Sequence, residues 1–121
     1  MPTTTPIDKF FAGKELARQL FEAVRARIEA IGPAEIRVSK SQIAFRRKTG
    51  FASVWVPGQY IKSEVPLVLT IGLRRRDDSP RWKEVVQPAH GRFTHHLELR
   101  SLAEIDEEVH RWLQEAWEAA A

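Results

Sequence analysis

The chain has no cysteine, one methionine and one tyrosine, and its six glycines stand singly. Without cysteine there is no disulfide, iron–sulfur cluster, thiolate zinc site or cysteine nucleophile. Isolated glycines build neither a phosphate-cradling loop nor a dinucleotide fingerprint. No apolar run approaches the roughly 18 residues of a membrane span, and Met1 to Pro6 lacks the charged-then-apolar opening of a secretory signal. The expectation is a cytoplasmic protein without membrane insertion.

Catalytic patterns are missing too. A metal-dependent nuclease needs clustered carboxylates with a Glu-x-Lys segment, yet Glu35 is followed by Ile36-Arg37 and Glu84 by Val85-Val86. Ser39 and Lys40 are neighbours and, on an extended segment, point to opposite sides, so they do not form a serine–lysine pair. His90, His95 and His96 are the tempting metal cluster, but His95 and His96 diverge on a strand. No catalytic residue, metal ligand or cofactor is assigned, and the balance is against an enzyme.

What is present suffices for one core: 121 residues, 43% of them hydrophobic. Charge is unevenly placed. Residues 34–100 carry thirteen Lys and Arg against six Asp and Glu, whereas residues 101–121 carry one against six. A basic middle thus precedes an acidic tail, although the net charge is only +3.

Periodicity orders the elements. Residues 1–6 read as a flexible lead-in and 7–121 as one domain. Phe10-Phe11 packs a short turn before Gly13. Leu16, Leu20, Val24, Ile28 and Ile31 then recur at helical spacing, until Gly32-Pro33 ends the helix with glycine in a left-handed cap. Ile36 and Val38 alternate, but the apolar phase slips before Ile43 and Phe45, which predicts a bulge or bend at Ser39-Lys40-Ser41. A hairpin turns at Lys48-Thr49-Gly50 into Phe51–Val56, and an irregular connection containing Tyr60, Ile61 and Lys62 follows. Leu67–Leu73 is the clearest strand. Trp82–Gln87 and Phe93–Leu99 supply two more, with His95 on the buried side. Ser101 with Glu104 predicts the capping box of a last helix carrying Leu102, Ile105, Val109, Trp112, Leu113, Ala116 and Trp117 on its apolar stripe. The fold class is α+β: an antiparallel meander sheet of about five strands, with an N-terminal and a C-terminal helix packed on one face.

Phe10-Phe11, the segment Ser39-Lys40-Ser41-Gln42-Ile43-Ala44-Phe45 followed by Phe51-Ala52, and a closing helix with Trp112-Leu113-Gln114-Glu115-Ala116 together resemble a bacterial domain-of-unknown-function family. The family is loosely labelled a predicted transport protein, and it is found alone or C-terminal to restriction-endonuclease-like domains. The resemblance spans about Pro6 to Ala119. It implies proximity to nucleic acid and carries over no catalytic residue.

The positive chemical signal is cations interleaved with aromatics. Lys40, Arg46, Arg47, Lys48, Arg74, Arg75, Arg76 and Arg81 are candidates for anion binding, and Trp55 and Trp82 for base stacking. The expected function is a small non-catalytic module for an anionic ligand, nucleic acid or another polyanion included. The alternative is a protein–protein (partner or homodimer) or small-molecule accessory domain that uses the open sheet face.

Overall fold

The computed structural model describes residues 4–59 and 63–121. Met1 to Thr3 and the expected connection residues Tyr60, Ile61 and Lys62 lie outside the described residues. Helices α1 (Pro6–Phe10) and α2 (Glu15–Ile31) precede strands β1 (Glu35–Val38), β2 (Ile43–Arg46), β3 (Gly50–Trp55), β4 (Leu67–Leu73), β5 (Glu84–Ala89) and β6 (Arg92–Leu99), and helix α3 (Glu107–Ala119) follows. The strands form one antiparallel sheet in the order β1-β2-β3-β4-β6-β5.

Register assigns the two faces. Ile43, Val54, Leu69 and Leu97 lie in one row and Phe45, Ala52, Ile71 and His95 in the next. All eight are buried, and the seven apolar ones share a core with Leu20, Phe21, Val24 and Ile28 of α2 and Val109, Trp112, Leu113 and Ala116 of α3. Each apolar side chain removed from water contributes about 1.5–3 kcal/mol, so this shared layer is the main stabilising term. An aromatic ladder extends it: Phe10 to Phe11 at 4.9 Å, Phe11 to Phe21 at 5.2 Å and Phe21 to Phe45 at 6.0 Å between ring centroids. The other face carries Ala44, Ser53, Thr70 and His96 in one row and Trp55, Val68 and Glu98 in the next.

Several local expectations change. Of the bulge or bend expected at Ser39-Lys40-Ser41, the bend is what forms, and it goes far enough to reverse the chain: Ser39 N–H donates to Gln42 O at 2.9 Å, and Ser39 Oγ accepts from Gln42 N–H at 3.1 Å. The apolar phase slips there because β1 and β2 are two strands, which raises the count to six. Thr5 and Pro6, expected in the lead-in, start α1, with the Thr5 hydroxyl accepting from Asp8 N–H and Asp8 accepting from Thr5 N–H. Asp8 also accepts from Arg18, and these bonds, the Thr5 N–H foremost, lower its pKa to about 2. Leu16 and Leu102, placed on the apolar stripes, are exposed.

The meander holds from β1 to β4, after which β6 inserts between β4 and β5. His95, Leu97 and Leu99 of β6 are buried, which suits a central strand. β5 is mostly exposed, with Pro88 inside a register shift between Val86 and Ala89, and proline is tolerated at an edge because it lacks a ladder donor. Gly91 closes that turn at φ +72°, a conformation that favours glycine. The Ser101–Glu104 box forms but caps only the 3-10 turn Leu102–Glu104. α3 starts later, with Asp106 Oδ1 accepting from Val109 N–H at 3.1 Å.

Gly32 ends α2 in an extended conformation, φ 170°, and not in a left-handed cap. Its requirement is steric: a Cβ there would sit 2.3 Å from the Trp117 indole, whose Nε1–H donates to Pro33 O at 3.0 Å. Gly32→Ala is therefore expected to destabilise the fold by about 1–3 kcal/mol through overpacking. Urea denaturation checks this, and in a Trp117→Leu background the alanine should cost little.

Candidate anion-binding site

The antiparallel order brings the β2–β3 turn, the exit of β4 and the β5–β6 turn to one end of the sheet, together with the C-terminus of α3. Arg46, Arg47, Lys48, Arg74, Arg75 and Arg76 gather there. Lys40 is at the opposite end, in the β1–β2 turn. Arg81 lies beside the start of α3.

Several of these cations fasten the acidic helix. Arg47 donates to Trp117 O at 3.0 Å with its guanidinium carbon 3.6 Å from the indole centroid. Arg74 donates to Ala119 O at 2.8 Å. Arg75 makes two bonds to Glu115, at 2.8 and 2.9 Å, and a third to Asp77 at 3.0 Å. Arg81 donates to Asp106, to Glu108 at 2.9 Å and to Glu104 O at 2.8 Å. The segment from Arg74 to Arg81 is thus a strap along α3, and much of the basic middle is neutralised by the acidic tail.

Asp77 anchors the strap. Its carboxylate accepts from Trp82 Nε1–H at 2.8 Å, from Ser79 N–H and from Arg75, while its own N–H donates to His95 Nε2 at 3.0 Å. Burial works to raise the Asp77 pKa, but the Trp82, Ser79 and Arg75 donors outweigh it and hold the carboxyl below its ordinary value. Trp82 is not on the strand with Glu84. It precedes β5 and turns into the core, 4.1 Å from Trp112 and 4.8 Å from His95 between ring centroids. The expected stacking candidate is therefore packed against protein rings. Trp55 is half-buried on the open face.

The histidines separate as their strand parity requires. His95 is fully buried, Nδ1 donating to Phe93 O at 3.2 Å and Nε2 accepting from Asp77 N–H, an arrangement that demands the neutral ring. His96 Nδ1 lies 2.9 Å from Thr70 Oγ1 on the open face, and His90 sits exposed in the β5–β6 turn. Among the described residues no three His, Cys, Asp or Glu side chains are placed to hold a metal. The Ser39 hydroxyl is committed to its own turn, donating to Gln42 O.

What remains at the basic end is a depression of about 360 Å³ between the sheet ends and the last turn of α3, within the size range of small-ligand sites. Thr49, Gly72, Arg74, Gly91, Arg92 and Thr94 line it, with Lys48 adjacent in sequence. Nothing in the sequence singles out Arg92 and Thr94. Their signal is register: once β6 pairs with β4, the first residues of β6 fall beside the exit of β4.

Such an arrangement defines a class: an α+β domain whose antiparallel sheet is covered by helices on one face, polar on the other and basic at one end. Within that class, the chain belongs to the family described as Domain of unknown function (DUF5655), whose model matches residues 7–120. No curated protein and no solved structure matches the chain.

The bonds at His95 carry a pH consequence. Burial first of all lowers its pKa, against the raising effect of its backbone partners and Asp77. The unfolded chain then binds the proton more readily, so the stability contribution is complete above the ordinary value of about 6.5 and falls as pH drops below it. Wild-type protein should lose stability between pH 7.5 and 5.5 in urea titrations (values of about these, bracketing the ordinary histidine range). His95→Gln should be less stable at the upper pH but lose less on acidification.

Proposed function

We propose that this chain is a non-catalytic binding module of the bacterial cytoplasm that takes an anionic ligand at the basic end of its sheet. The observation that carries the reading is the convergence on one depression of Arg74, just past β4, and Arg92 of β6, with Lys48 one residue from Thr49 in the wall that the β2–β3 turn supplies. Two strand ends line the site with arginines and a third brings Lys48 beside it, while Gly72 and Gly91 in the lining let an anion approach the backbone. Arg92 and Lys48 are exposed, and Arg74 spends one of its five guanidinium donors on Ala119 O. The restriction-endonuclease-like neighbours implied by the family resemblance lean the same way. With no helix among the described residues long and apolar enough to cross a membrane, a transport role finds little support.

Anisotropy of fluorescein-labelled polyphosphate titrated with the protein tests this. Binding should weaken at least tenfold between about 50 and 200 mM salt, the signature of counterion release by several contacts. Lys48→Ala combined with Arg92→Ala should abolish most of it, and Lys9→Ala, on α1 beside the β1–β2 turn at the opposite end of the sheet, should not. Equal binding by the double variant and wild type sinks the assignment.

A further inference from the structure

Thr94 lines the basic depression and also a second, shallower one on the open sheet face, shared with Ser53, Trp55, Thr70 and His96. Thr94 is therefore the residue at which the two meet. Alternation along β6 puts Arg92, Thr94, His96 and Glu98 on the same face, so a path runs from a cation through a hydroxyl to an imidazole. From His96 the pairing leads through Thr70 to Ser53, one step from Trp55. The diagonal from Arg92 to Trp55 covers six residues along the strands and two strand spacings across, about 20 Å.

We infer that a single-stranded nucleic acid lies along this diagonal, its phosphates at Lys48, Arg74 and Arg92 and its bases against Trp55 and His96. The inference rests on the anion-binding reading and adds the ligand class. Charge favours the direction: cations stand at one end, while Glu84 lies on the β5 side opposite His96, which turns a polyanion toward β3; Glu98 at the far end of β6 is paired with Arg100 at 3.4 Å. Chemistry decides the class. An indole, an imidazole and three hydroxyls on a shallow face offer stacking and hydrogen bonds to splayed bases, which a duplex keeps stacked inside itself. A path of this length holds about four nucleotides, the lower end of single-strand site sizes.

The test pairs a labelled single strand of about eight thymidines or uridines, twice that path, with the labelled polyphosphate. The single strand should bind more tightly than its blunt duplex, with a log–log salt slope of about −2 for three phosphate contacts. Trp55→Leu should weaken the single strand about tenfold while leaving polyphosphate unchanged. Tryptophan emission should be quenched on binding in wild type and much less in that variant. Ser53→Glu, on the open face and outside the basic depression, supplies an independent block should Trp55→Leu fold poorly, and it should weaken the single strand while sparing polyphosphate. If the single strand binds no better than the duplex and neither variant distinguishes it from polyphosphate, the inference falls while the anion site stands. If Lys48→Ala with Arg92→Ala changes neither probe, both fall together.

Discussion

Helix α3 is apolar toward the sheet and acidic toward the strap, and its placement constrains the rest of the molecule. Burial of Val109, Trp112, Leu113 and Ala116 supplies the energy, at about 1.5–3 kcal/mol for each large side chain. The ion pairs along the strap are part-exposed and contribute about 0–1 kcal/mol apiece. Their role is one of register: Arg75 on Glu115 and Arg81 on Asp106 and Glu108 meet carboxylates about two turns apart. A helix slid by one turn would keep much of its apolar contact and lose every one of these bonds.

The same pairing reinterprets the charge asymmetry of the sequence. A basic middle and an acidic tail suggest a surface with two poles, and in the fold the poles lie against each other. Arg47 over Trp117, Arg75 on Glu115 and Arg81 on Glu108 belong to the architecture. What is left over at the sheet end is smaller than composition suggests: exposed Lys48 and Arg92, with Arg74 between them and α3.

The elements were legible because their signals are local. Phe21, Val24 and Ile28 mark α2 by spacing, and Leu67 to Leu73 marks β4 by alternation. The β6 parity even separated His95 from His96 correctly. Nonlocal facts were not legible. The phase slip at Ser39 looks the same in sequence whether the strand bends or reverses, and only the pairing of Val38 with Ile43 distinguishes them. Gly32 reads as a backbone cap, but the partner that requires it, Trp117, is 85 positions away. Trp82 reads as a strand residue until the Asp77 carboxylate is seen holding its indole. Arg92 escaped notice because its neighbours in space, Thr49 and Arg74, belong to other turns.

A helix C-terminus is a poor neighbour for an anion, because its last carbonyls carry a partial negative charge. Here that charge is met by the protein itself. Trp117 O accepts from Arg47, Ala119 O from Arg74, and Ala120 O from the N–H groups of Lys48 and Thr49. The turn and strand end that satisfy these carbonyls are the ones that carry Lys48 and Arg74 to the depression, so closing the helix and building the basic end are one act of folding. The Arg74 side chain and the Lys48 backbone are accordingly held at that end by α3 carbonyls, while the exposed Lys48 and Arg92 side chains supply the charge that those bonds leave over.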